Sequence, residues 1–387
     1  MKNVKNALDQ LGLLFEKGAK LERLHPLYEA IRTIFFIPGE TTSRMPAVRD
    51  SLDLKRFMSL VIVALIPQTL FGMYNTGVQA LLADGITPTW GFAFYRGAEA
   101  FLPMLVVSYG VGLTWEGIFA IIRGHKISEG FLVTGLLFPL TLPPTIPLWQ
   151  VAAGISFGVV VGKEVFGGTG RNLLNPALTA RAFLFFSYPV AMSGDRVWVA
   201  ARSVDAVTGP TPLSLTLGAR GDAVPQAFVE SGYTFWRMFS GQISGSVGET
   251  SALLCLISAV FLCVVGVASY RIIVGGVLGV LVMGMGVMLL SSELSPWHWV
   301  NPVQHLVMGG FAFGITFMAT DPVSAPGTEG ARWVYGFFIG VLTVIVRAYN
   351  TAYAEGAMLA ILFMNLFSPM LEVMEIKIKT GRRVPNV

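Results

Sequence analysis

The sequence predicts an all-α polytopic membrane protein, with about ten transmembrane helices arranged as two inverted five-helix repeats whose third and eighth spans are broken. Three observations carry that prediction. Only 13% of the 387 residues are charged and 53% are hydrophobic, whereas soluble domains run near one-quarter charged; the mean hydropathy is +0.64. Ten apolar runs follow one another. Six are long enough to cross a hydrocarbon layer of roughly 30 Å, and the rest are short or interrupted by Gly and Pro. Segments in the two halves also echo one another.

Residues 1–56 form a basic, amphipathic stretch without a cleavable signal peptide. Its Leu11, Leu14, Phe15, Leu21 and Leu24 recur at helical spacing, which suits either a partner protein or the anionic inner leaflet. The first membrane half, 57–191, has long runs near 57–75 and 98–122 and shorter ones at 129–144, 147–162 and 176–191. A loop covers 192–250. The second half, 251–372, has long runs near 252–268, 271–290, 333–347 and 355–371 and a broken one at 303–319; a basic tail occupies 373–387. With the N-terminus in the cytoplasm, 20 of the 27 Lys and Arg fall on that side, ten of them in 1–56, and six fall outside. Arg181 is left within a span. This positive-inside bias predicts two cytoplasmic termini and an external 192–250 loop.

The repeat is carried by Gly135–Pro144, which resembles Gly310–Pro322, and by Ala182–Pro189, which resembles Ala360–Pro369. These match the third span to the eighth and the fifth to the tenth. Halves of five spans each must run in opposite directions. Short, Gly/Pro-interrupted segments at equivalent places mark the midplane pathway of transporter folds. Cys255 and Cys263 lie two turns apart on one run, too far for a disulfide within a helix, and read as packing thiols. His25, His125, His298 and His305 show no metal-ligand spacing.

Four stretches carry a family resemblance: Val48–Arg56, Leu140–Gln150, Gly162–Ala177 and Phe317–Ser324. Over nearly its whole length the chain resembles the B subunit of the sodium-translocating NADH:quinone oxidoreductases. The D subunit of Rnf electron-transport complexes shares much of the pattern; the long basic N-terminus with Arg49-Asp50 and Leu54-Lys55-Arg56 favours the sodium pump. The resemblance implies a bacterial inner-membrane component of a six-subunit redox complex. Electrons would pass from covalent FMN to noncovalent riboflavin to ubiquinone, with sodium moved outward and a flavin transferase needed for maturation. Sodium rather than proton rests wholly on the resemblance. No Rossmann signature occurs, so NADH is expected to bind elsewhere in the complex, and nothing points to nucleic acid.

The family's flavin-attachment pattern falls on Asp205-Ala-Val-Thr208-Gly209-Pro210-Thr211, with Pro210 where Ala is usual. It implies FMN esterified to Thr211. Gly209 removes bulk near the phosphate, and Pro210 and Pro212 hold the strand extended with Thr211 outward. In the glycine-rich Gly167–Asn172 stretch and beyond, Asn172 and Asn175 match the riboflavin-binding residues; Asn175 equally reads as the cap of a helix opened by Pro176. Gly112 falls in the quinone and inhibitor region, where the family has two adjacent glycines and this chain has Leu113. It equally reads as a small residue at a helix contact.

Acids near a membrane are costly, which singles out Glu116, Asp321 and Glu372 as a candidate sodium pathway. Carboxylates and carbonyls freed at helix breaks are suitable sodium ligands. Asp321 equally reads as a turn cap before Pro322, and Glu372 as an interfacial charge beside the basic tail. Three functional classes therefore stand: a flavin-bearing redox component of a sodium pump, an Rnf-type relative with ferredoxin as redox partner, and a passive channel or transporter built on the inverted repeat. A covalent flavin separates the first two from the third.

Overall fold

A computed structural model describes residues 54–124, 130–202, 208–219, 221–350 and 355–381. The expectations placed on 1–53, Asp205, His25, His125 and 382–387 lie outside the described residues. Among those described there are helices and no strands. The first half contains α1 (Leu54–Ala83), α2 (Trp90–Arg123), α3 (Gly130–Leu140), α4 (Leu148–Val160) and α5 (Pro176–Ser187). Three short helices follow in the connecting segment: α6 (Pro212–Gly218), α7 (Ala223–Glu230) and α8 (Phe235–Ser240). The second half contains α9 (Ala252–Val264), α10 (Tyr270–Leu290), a broken eighth span within 304–318, α11 (Glu329–Tyr349) and α12 (Ala357–Gly381). Six helices are long and apolar enough to cross a membrane, and α3 and α9 are shorter apolar helices.

Some boundaries depart from the apolar runs, for local reasons. The sixth run was expected to extend to 268, but α9 stops at Val264 because Gly266 turns the chain at φ +81. Helix α12 runs on to Gly381 through Lys377 and Lys379, well past the end of its apolar run. Helix α2 begins eight residues early, at Trp90, where Arg96 pairs with Asp84 at 3.2 Å and with Glu99 at 3.1 Å.

The two halves use one packing scheme. Helix α2 packs on α4 as α10 packs on α11; α4 packs on α5 as α11 packs on α12. The third span touches α1 and α5 as the eighth touches α9 and α12. The halves meet where α1 packs on α9 and α5 on α12. Across the first of these contacts Gln68 Nε2 donates to Ser258 Oγ at 3.2 Å, and Ser258 donates to the Ala64 carbonyl at 2.8 Å.

The third span is held by backbone bonds from outside itself. Helix α3 ends at Leu140, and the carbonyls of Leu140 and Leu142 accept from Gly248 (2.8 Å) and Val247 (3.4 Å) in the segment entering α9. The eighth span is a turn at Gln304–Val307, another at Phe311–Phe313, and a π-helical turn at Gly314–Met318, a feature frequent at functional sites.

The burial pattern is that of a bilayer solvent. Val106, Val190 and Leu290 are exposed, while Gln68, Asn75, Ser108, Glu116, Arg181 and Arg347 are buried. Apolar attraction does not drive helices together in lipid, so close packing must. The α10–α11 seam supplies it through glycine: a Cβ on Gly279 would strike the Phe337 carbonyl, and one on Gly340 the Gly276 carbonyl. Gly340→Val is therefore expected to remove the folded, monodisperse fraction in detergent size-exclusion chromatography, because overpacking costs about 1–3 kcal/mol or more. Gly286→Ala, on the same helix pair but facing open space, is expected to leave it unchanged.

Candidate functional site

Two cavities flank the broken spans. The first, about 260 Å³, has Thr211 in its lining. Thr211 is extended (φ −80°, ψ 160°) and caps α6, its Oγ1 accepting from the Ser214 amide at 3.2 Å. The strand leading into it is pinned. Gly209 N–H donates to the Asp195 carbonyl at 2.8 Å, and Tyr233 donates to the Pro210 carbonyl at 2.7 Å. The Ser244 hydroxyl lies 2.9 Å from the Tyr233 oxygen. Burial pushes the Tyr233 phenol up from its ordinary value, with the Ser244 hydrogen bond opposing. Gly209 is buried against Val199, whose side chain fills the place a Cβ would take. The glycine thus answers to packing inside the loop rather than to the cavity. Thr208 is exposed, and Asp205 is outside the described residues.

The lining includes the apolar and aromatic side chains of Phe185, Met192, Trp198, Leu213 and Leu217, the hydroxyls of Ser193, Ser244, Ser246 and Thr250, and the charged Arg181, Glu249 and Glu355. There Arg181 Nη1 lies 3.4 Å from Glu249 and Nη2 lies 3.9 Å from Glu355. Glu355 also accepts from the Gly310 amide. Burial pushes the Glu249 carboxyl up to about 8, the Arg181 guanidinium pulling the other way. Beside Glu355 the fully buried Arg347 donates to the carbonyls of His305 (2.7 Å), Met308 (2.8 Å) and Glu355 (3.2 Å). An isoalloxazine has an apolar benzenoid edge and a polar pyrimidine edge. A lining of both kinds suits it, and the volume approaches the roughly 300 Å³ at which small-molecule sites begin.

The second cavity brings together Asn172, Asn175, Lys163, Thr316 and Asp321. It lies six residues along α5 from Arg181, roughly 9 Å at the helical rise. Its volume is only about 60 Å³, room for a few waters and not for three fused rings. Asn175 Oδ1 caps α5, accepting from Ala177 (3.0 Å) and Leu178 (3.3 Å), with Pro176 at the first helical position. Asn172 Nδ2 donates to the Leu174 carbonyl at 2.9 Å. Both amides thus serve the turn, and the space as formed does not fit riboflavin. Asn172 also lines a neighbouring cavity of about 230 Å³ that reaches Glu372.

The three candidate acids are not gathered into one site. Glu116 is buried on α2 and paired with the buried Lys163. Asp321 accepts from Ser324 Oγ at 2.8 Å within its turn. Glu372 accepts from the Gly327 amide, while Glu375 takes the Gly330 (3.1 Å) and Ala331 (2.6 Å) amides that open α11. No group of three His, Cys, Asp or Glu suited to a metal occurs among the described residues. Gly112 is buried beneath the Phe131 ring, which occupies the place of a Cβ; Leu113 beside it is exposed.

Sequence reasoning missed Glu249, Glu355, Arg347 and Lys163 as site groups and left Arg181 without a role. The signal for Arg181 and Arg347 was available, since an ionisable residue within a span is a functional candidate by default. Glu249 sits just outside a span and carries no such mark, and Glu355 stands at the very start of the 355–371 run.

The Lys163–Glu116 pair gives a sharp test of the buried charges. Lys163→Met removes the buried ammonium that pairs with Glu116 and is expected to cost about 3–5 kcal/mol. It would appear as lost folded yield and a lowered melting temperature in detergent. Adding Glu116→Gln in the same chain is expected to restore most of both.

The model of the family described as NQR2, RnfD, RnfE matches residues 41–381. A protein of Chromohalobacter salexigens, named as the B subunit of a Na(+)-translocating NADH-quinone reductase, is 47% identical over 98% of this chain and 96% of its own. Proteins of the same name from Ectopseudomonas mendocina and Klebsiella pneumoniae are 47% and 44% identical, over 97% and 98% of this chain and 98% of each of theirs.

Proposed function

Because the chain belongs to the NQR2, RnfD, RnfE family, we propose that it is the B subunit of a sodium-translocating NADH:quinone oxidoreductase, carrying FMN as a phosphoester on Thr211. The observation that carries this reading is the placement of Thr211. Thr211 stands, on a pinned and extended strand, in the lining of a cavity that combines aromatic and polar side chains. When bound there, FMN supplies a one-electron carrier. Thr211 Oγ1 would hold the phosphate, beside the Ser214 amide that reaches that oxygen at 3.2 Å. Tyr233 and Ser244 fix the approach through the Pro210 carbonyl. Phe185 and Trp198 supply the aromatic part of the lining.

The 192–250 segment is external in this reading, and both termini lie in the cytoplasm of a bacterial inner membrane, as the Lys and Arg distribution favours. Ubiquinone is the acceptor, reached on the face opposite Thr211, and sodium is the transported ion; the rest of the complex supplies electrons derived from NADH. Riboflavin belongs to the family reading at Asn172 and Asn175. The 60 Å³ space there would have to open to admit it, so the proposed role of this chain's residues does not depend on it. Glu116, Asp321 and Glu372 remain the proposed acids of the ion path, each having to exchange its present partner for the ion.

The test is to express the chain with its partner proteins and the flavin transferase, separate it on a denaturing gel, and look for ultraviolet fluorescence. A fluorescent band with the FMN mass on the Thr211 peptide is expected, retained in Thr211→Ser at reduced level and absent in Thr211→Ala. A dark wild-type band, or fluorescence that survives Thr211→Ala, would overturn the reading.

A further inference from the structure

We propose that Arg181 is the positioning residue that sets the electron affinity of the Thr211 cavity, its guanidinium holding the negative charge that arrives there on reduction while Glu249 opposes it. The inference rests on the covalent-flavin reading above. Arg181 lies in the middle of α5, 5% exposed, and lines the cavity. A charged side chain so deep in a span is expensive unless it has a task. The task of tying the broken eighth span is already taken by Arg347, which donates to three carbonyls. The ion pairs of Arg181 run instead to two carboxylates at the cavity, Glu249 at 3.4 Å and Glu355 at 3.9 Å.

That arrangement responds to added charge. In a water-poor site a unit charge acts strongly over a few ångströms. One electron entering the cavity makes and breaks no bond, but lowers its net charge by one. A planar guanidinium already between two acids can turn part of its field onto the newcomer. Glu249, 5% exposed, acts against this when ionised. The groups facing it are Arg181 from α5, Glu355 ahead of α12 with Arg347 of α11 behind it, and Cys255 of α9. Burial holds its carboxyl up to about 8. The cavity is therefore more electron-accepting below that pH and less so above it, where a second negative charge appears in its lining.

The full chain is flavinylated with the transferase and placed in lipid nanodiscs, and the midpoint potential of the covalent flavin is read by spectroelectrochemistry at pH 6.5 and 9. Arg181→Gln is expected to move the one-electron equilibrium at least about tenfold toward the oxidised form, about 59 mV lower, and Arg181→Lys much less. Glu249→Gln is expected to move it the opposite way at pH 9 and less at pH 6.5, because burial raises the pKa of the carboxyl that Gln replaces. Unmoved potentials in Arg181→Gln and Glu249→Gln, or shifts of the same sign in both, would overturn the inference, since mere loosening of the site gives no opposed pair. If Arg181→Gln fails to insert, Glu249→Gln at pH 9 decides alone. A wild type without flavin on Thr211 instead overturns the reading beneath it.

Discussion

Every backbone N–H and C=O in hydrocarbon has to be satisfied from within the protein, and the two broken spans are where this chain meets that requirement least locally. An unbroken helix satisfies itself. Helix α3, stopping at Leu140 before Pro143 and Pro144, leaves carbonyls that Gly248 and Val247 reach from the segment entering α9. The eighth span leaves the carbonyls of His305 and Met308 to Arg347 of α11. An unmade buried bond costs about 1–3 kcal/mol, so these two supports hold the breaks in place. The cavities exist because the breaks do: one opens toward Thr211 and Gly309, the other toward Asn175 and Thr316.

The same requirement orders the charges. Arg123 pairs with the buried Glu164 at 3.1 Å, Lys163 pairs with Glu116, and Arg181 lies between Glu249 and Glu355. Removing water from an ion costs several kcal/mol, and a single partner in good geometry only offsets that. Pairing thus explains why these groups are tolerated, not why they are there. Two of the clusters line cavities: Lys163 the smaller and Arg181 the larger.

Glycine serves two different ends in this fold. At Gly279 and Gly340 it lets α10 and α11 touch backbone to backbone, which lipid-exposed helices need in the absence of a hydrophobic drive. At Gly266 it allows the left-handed turn that ends α9 early. Gly209 is covered by the Val199 side chain, at a place where the attachment pattern calls for little bulk. Gly112 is likewise covered by Phe131.

Fold class, the broken third and eighth spans and the inverted repeat were legible in the chain itself. Hydropathy over 18 or more residues and the position of Gly and Pro are local properties, and lipid enforces them without help from distant residues. The extended backbone at Thr211 was legible in the same way, since prolines on both sides restrict it. Tertiary structure alone decided what surrounds it. That Tyr233 and Ser244 reach Pro210, and that Arg181 lies between Glu249 and Glu355, depends on segments far apart in sequence, which carry no mark of their meeting. It also decided between readings left open by the residues. The Asn175 side chain caps α5 and Glu372 meets the Gly327 amide, because a carboxylate or amide beside an unbonded N–H is claimed by whichever donor the fold brings within about 3 Å.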